Sequence, residues 1–124
     1  MAANQADFTL TFRRLADAAE GDDRVRALFA DPAAYDGWAV GWHARLAQEP
    51  PGRAAAMRLV NPAYIPRNHL VEEALAAATQ RDDLTPFEDL LTVLSRPFND
   101  QPGRDRYAQP PRPEERVTAT FCGT

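Results

Sequence analysis

Apolar residues along this chain recur at intervals of three and four, the period of a helix, over most of its length. In DFTLTFRRLADAAEG, Phe8, Phe12 and Leu15 share a helical face, Asp7 stands at the N-cap position and Gly21 can end the run. A second short helix is expected over DDRVRALFA, with Val25, Leu28 and Phe29 on one side. Asp31-Pro32 opens the next segment, because proline suits the first helical turn. There Tyr35, Trp38, Trp42 and Leu46 fall at i, i+3, i+7 and i+11, a continuous aromatic and apolar face. Gly37 and Gly41 weaken that helix but permit a neighbour to approach closely.

Pro50-Pro51-Gly52 breaks the chain before RAAAMRLV, which again reads as a short helix. Pro62 and Pro66 hold the following entry in an extended or turn form. Asn68 is expected to cap a helix with Leu70, Ala74 and Ala78 on one face and Val71 and Leu75 on another. Thr85-Pro86-Phe87-Glu88 starts the next helix, which is expected to turn Phe87, Leu90, Leu91 and Leu94 inward. From Pro97 onward, prolines and charges dominate, and RPFNDQPGRDRYAQPPRPEERV reads as an irregular tail anchored on a surface by Phe98 and Tyr107. VTATF alternates like a strand but has no evident partner. The pattern predicts an all-α chain of about five or six short helices over residues 1–96, followed by a Pro-rich tail over 97–124.

With 124 residues there is room for one domain of modest core. Alanine supplies much of the 44% hydrophobic content, so the core is expected to be thin and to call for a partner surface. A net charge of −4 without a dense basic patch argues against nucleic acid. All 14 basic residues are arginine, a bias expected from a GC-rich genome. The missing lysine excludes a P-loop lysine, a kinase-type phosphate-binding lysine and a Schiff base. One cysteine, Cys122, permits no internal disulfide and no Cys-rich zinc site. No long apolar run suggests a membrane span, and no signal-like stretch follows Met1, so the cytoplasm is the expected compartment. Cys122 would be kept reduced there.

No nucleophile, base and orienting group come together in the sequence. Ser95, the one serine, sits beside Arg96 and Pro97 with no histidine near. His43 and His69 lack metal-ligand spacing, and the doublets Asp22-Asp23, Glu72-Glu73 and Asp82-Asp83 suit helix starts and turns rather than a calcium loop. No metal site and no catalytic residue is expected. Trp38 and Trp42 can stack a base or sugar, although packing in a core or interface is the plainer use. Arg67 and Asn68 can meet a phosphate at a helix start, against the plainer reading of a local ion pair and a cap.

Three stretches in order, MRLVNPAYIPRNHLVEEAL, FEDLLTVLSRPF and YAQPPRPEERVTATFCGT, closely resemble the C-terminal end of the selenoprotein O family, also called the YdiU family. DFTLTFRRL through WAVGWHARL is similar to the segment that precedes them, so the resemblance covers nearly the whole chain. It implies a place in the C-terminal part of a larger protein-kinase-like fold. That fold transfers AMP from ATP to Ser, Thr or Tyr hydroxyls of proteins, with Mg2+ or Mn2+. The family's nucleotide-binding lysine, metal-binding asparagine and aspartate, and catalytic base lie upstream of the matched segment. The resemblance therefore assigns ATP and the metal to the full-length protein and none to this chain.

The implied partners are the missing N-terminal kinase-like lobe and the protein substrates of the full-length enzyme. Trp38, Trp42 and Tyr64 are the candidates for packing against that lobe. Cys122 matches the family's redox position, which is selenocysteine in animal members and can pair with a cysteine elsewhere in the full-length protein. Here an intermolecular disulfide, a mixed disulfide with glutathione or simple oxidation remains open to it. The expectation is a helical buttress with a redox tail, catalytically silent by itself. A stand-alone helical protein-binding module is the alternative. A thiol enzyme is disfavoured, because Cys122 has neither a CxxC partner nor a basic neighbour to lower its pKa.

Overall fold

Asp7, Asp22 and Asp31 each close the start of a helical segment in the computed structural model, which describes residues 1–119. The chain forms two compact units, Met1–Ala63 and Tyr64–Thr124. Among the described residues the regular elements are all helical and none is a strand. Of VTATF, residues 117–119 are not a strand, and the rest lies outside the described residues.

In the first unit a 3-10 turn, Ala2–Asn4, leads to α1 (Phe8–Ala18), a 3-10 segment (Asp23–Leu28), α2 (Pro32–Leu46) and α3 (Arg53–Val60). The Asp7 carboxylate accepts the Leu10 N–H at 2.8 Å, and Asp31 accepts that of Ala33 at 3.0 Å behind Pro32. The second short helix expected over DDRVRALFA is present, in 3-10 form. It lies between the turn at Gly21, whose φ is +96°, and the cap at Asp31. It still delivers Val25 into the core beside Leu15, Ala18, Tyr35 and Ala39.

The Tyr35 hydroxyl donates to Asp23 at 3.0 Å. Burial, then the Asp23 hydrogen bond, pushes that phenol up to about 12. The expected faces of α1 and α2 are cut short at their edges. Phe8 is exposed and lies against Phe12, and Trp38 stands half out of the line that Tyr35, Ala39 and Leu46 bury.

Arg13 is buried on α1 and donates to the carbonyls of Arg58 and Asn61, each at 3.1 Å. These carbonyls lie at the end of α3, where the helix itself offers no partner. Arg58 returns the contact by pairing with Asp17 at 2.9 Å and Glu20 at 2.5 Å. The two arginines thus clamp α1 to α3.

The second unit contains α4 (Asn68–Arg81), α5 (Thr85–Leu94), α6 (Asp105–Ala108) and a closing 3-10 turn, Pro113–Glu115. The expected cap at Asn68 is corrected by one residue. Arg67 holds the N-cap position, extended after Pro66, and makes no side-chain cap bond. Asn68 is already the first helical residue, so its amide cannot reach forward to the next turn. Asp82 turns the chain in the left-handed region (φ +53°), and Asp83 accepts the Thr85 N–H at 3.0 Å to start α5.

On α5 the expected inward set is also corrected. Leu90 and Val93 are buried, whereas Phe87 and Leu91 are 51% and 58% exposed. The apolar arc of α5 is wider than the narrow, alanine-rich face of α4 that covers it. The tail is fastened rather than loosely laid. Gln101 Nε2 donates to the carbonyls of Val93 (2.9 Å) and Arg96 (3.1 Å), and Arg104 pairs with Asp89 at 3.0 Å. Of the two expected anchors, Tyr107 is partly buried beneath Arg104 and Arg106, but Phe98 is exposed.

Arg13→Met keeps the aliphatic stem and removes the donors to the end of α3. Urea unfolding of this variant is expected to show a loss of about 2–3 kcal/mol, the usual worth of hydrogen bonds from a charged donor.

Candidate functional site

Aromatic rings line α2 in a ladder. Phe29 lies 5.4 Å from Tyr35, Tyr35 lies 6.0 Å from Trp38, and Trp38 stacks on Trp42 at 5.5 Å with 19° between planes. Within α2 each step follows from helical spacing of three or four residues on one side, and Phe29 joins from the end of the preceding 3-10 segment. The ladder passes from the core out to the surface at Trp38 and back toward the core at Trp42. Tyr35 is buried, Trp42 is partly buried against the core, and Trp38 is 50% exposed.

Tyr64 belongs to the inside of the second unit, at 4% exposure. Its N–H donates to the Pro97 carbonyl at 3.2 Å, and its hydroxyl accepts the Gln101 N–H at 3.1 Å. It holds the start of the tail to the residues before α4. Of the three aromatic residues singled out in the sequence, Trp38 is the one that presents an open ring face.

Arg67 is 6% exposed and donates to the Ala108 carbonyl at 2.8 Å, so its guanidinium points into the unit. Asn68, next to it, is exposed. The structure therefore turns these neighbours in different directions. His69 is partly buried and its Nδ1 has no hydrogen-bond partner. Burial holds this imidazole below its ordinary range, opposed by the Glu115 charge and reinforced by Arg67.

Among the described residues no group of three His, Cys, Asp or Glu side chains is placed to hold a metal ion. No helix is long and apolar enough to cross a membrane, again among those residues. Cys122 lies outside them. Sequence reading missed Arg13 and Gln101, whose partners are carbonyls up to 48 residues away and leave no local pattern.

No family profile matches the chain. Individual relatives do, over its entire length. The protein nucleotidyltransferase YdiU of Rhodopseudomonas palustris strain BisB5 is 61% identical over 130 residues, which are all of this chain and 26% of that protein. Its counterpart in Bradyrhizobium sp. strain ORS 278 is 59% identical over 129 residues, again 100% of this chain and 26% of the relative. That of Methylorubrum extorquens strain PA1 is 56% identical over 137 residues, 100% and 27%. The chain belongs to the YdiU family. It spans about a quarter of the length of the YdiU proteins it matches.

The His69 environment makes a testable statement about this YdiU segment. A histidine held neutral by burial lets the unfolded state bind more protons, so stability must fall as pH drops below the unfolded value of about 6.5. Urea midpoints are expected to decline between about pH 6.5 and 5, above the range in which carboxylates titrate. The decline should flatten in His69→Gln.

Proposed function

We propose that this chain is the C-terminal helical segment of a protein adenylyltransferase, within a larger protein-kinase-like fold that moves AMP from ATP to hydroxyl side chains of proteins. The observation that carries the reading is the full-length match, at 56–61% identity, to about a quarter of proteins named nucleotidyltransferases. The proposal assigns ATP and Mg2+ or Mn2+ to the part of the family's length that this chain does not span, because the resemblance places the nucleotide- and metal-binding residues upstream of the matched segment.

The segment's own role is that of a buttress. Small alanine-rich cores leave large apolar groups uncovered on both units. Phe8 and Trp38 are exposed in the first, and Leu84, Phe87 and Leu91 in the second. The last three fall at spacings of three and four, a stripe along one side of α5. Such surfaces are what a docked lobe would cover. Cys122 serves in this reading as the redox residue, forming a disulfide with a cysteine elsewhere in the assembled protein while oxidised glutathione takes up the two electrons and two protons as reduced glutathione.

The test uses labelled ATP, Mn2+ and an acceptor protein. The 124-residue chain alone is expected to transfer no AMP above background. The R. palustris relative is expected to lose activity when its matching quarter is removed and to keep it when this chain is substituted there. In that chimera Cys122→Ser should abolish any difference between oxidised and reduced glutathione. Robust transfer by the chain alone, or full activity of the shortened relative, would refute the reading.

A further inference from the structure

The face that α3 turns to solvent carries no polar side chain. Its exposed residues are Ala55, Ala56, Leu59 and Val60, and the last two are 73% and 72% exposed. A surface helix ordinarily arranges itself the other way, with charge outward and an apolar stripe against the core. α4 does so, turning Glu72, Glu73, Thr79, Gln80 and Arg81 outward, with Leu75 the one large apolar group beside them. On α3 the two charged residues are drawn inward instead. Arg58 is held by Asp17 and Glu20, and Arg53 donates to the Glu49 carbonyl at 3.5 Å. Ala54 is buried, and Met57 packs against the core of the first unit. α3 is thus apolar both toward the core and away from it, a pattern that belongs to a helix covered on both sides.

We propose that the outward face of α3 is the seat of an uncharged, aliphatic surface in the part of the family's length that this chain does not span. The proposal rests on the reading of this chain as one segment of a longer YdiU protein. The relatives supply the occupant: the match covers 26% of their length, so about three quarters of each lies outside it. A second copy of the chain fits less well. α3 has 8 residues and is about 12 Å long, whereas a stable complex of separate molecules buries about 800 Å² on each partner. A surface in the same polypeptide needs less area, because its attachment keeps it at high local concentration. The side chains set the shape of the complement. Ala55 and Ala56 on one turn leave room for large aliphatic groups, and Leu59 and Val60 on the next call for smaller ones. None of the four offers an ion pair, so a charge brought against them would be buried alone.

The experiment reads thiol accessibility in two proteins, the free chain and the R. palustris relative carrying this chain in place of its matching quarter. Each bears Leu59→Cys or Val60→Cys and is pulsed with N-ethylmaleimide, and modification of that peptide is followed by mass spectrometry. Val25→Cys, in the core, is the fold control and is expected to stay protected in both proteins. In the free chain the thiols at positions 59 and 60 are expected to label as fast as an open cysteine. In the chimera their labelling is expected to be slower, on the order of tenfold or more. Leu59→Arg in the chimera puts an unpaired charge in the seat, so labelling of Val60→Cys should return to the free-chain rate while Val25→Cys stays protected. Fast labelling at both positions in the chimera, with Val25→Cys protected, overturns the proposal. So does protection of these thiols in the free chain, whether by a second copy or by the chain itself. The readout is independent of catalysis. A chimera that transfers AMP but labels quickly refutes the seat alone, and one that labels slowly without transferring AMP refutes only the adenylyltransferase reading.

Discussion

Arg13 carries its guanidinium from the buried side of α1 to the carbonyls of Arg58 and Asn61, which the end of α3 leaves without helical partners. A buried cation and two orphan acceptors would each be costly alone, and together they satisfy one another. Arg58, held by Asp17 and Glu20, then locks the same pair of helices from the other side. The second unit repeats the device with different groups. Gln101 closes carbonyls at the end of α5, and Arg67 reaches the Ala108 carbonyl. In both units a long polar side chain substitutes for apolar area that alanine-rich helices cannot supply.

That substitution has a consequence for function. Polar clamps secure the helices without using all their apolar groups, so Trp38, Phe87 and Leu91 remain at the surface. In the proposed reading these groups are seats for the part of the family's length that this chain does not span. The aromatic ladder on α2 joins this surface to the core through Tyr35, whose hydroxyl is tied to Asp23. Packing at Trp38 is therefore mechanically continuous with the centre of the first unit.

Local chemistry was legible. Asp7 and Asp31 cap where their positions say they should, and Pro32 and Pro86 stand at helix starts. The helical class and the family were also readable, the first from period and the second from ordered motifs spread over the chain. Phe87 and Leu91 were assigned by spacing alone, and Asn68 by its residue type after a proline. Spacing specifies which residues share a face, not how much of that face a neighbour covers, nor on which residue a helix begins after a proline.

The sequence by itself determined that the chain is helical, where most helices start, which residues share a face and which family it belongs to. These follow from interactions within a few residues or from the order of motifs. Tertiary structure decided that Tyr64 and Arg67 turn inward while Trp38 stays open, and that Arg13 and Gln101 close distant helix ends. It also decided which part of the α5 arc is buried. Those outcomes depend on which acceptors and which surfaces the folded chain leaves unmatched, a quantity that exists only once the helices have met.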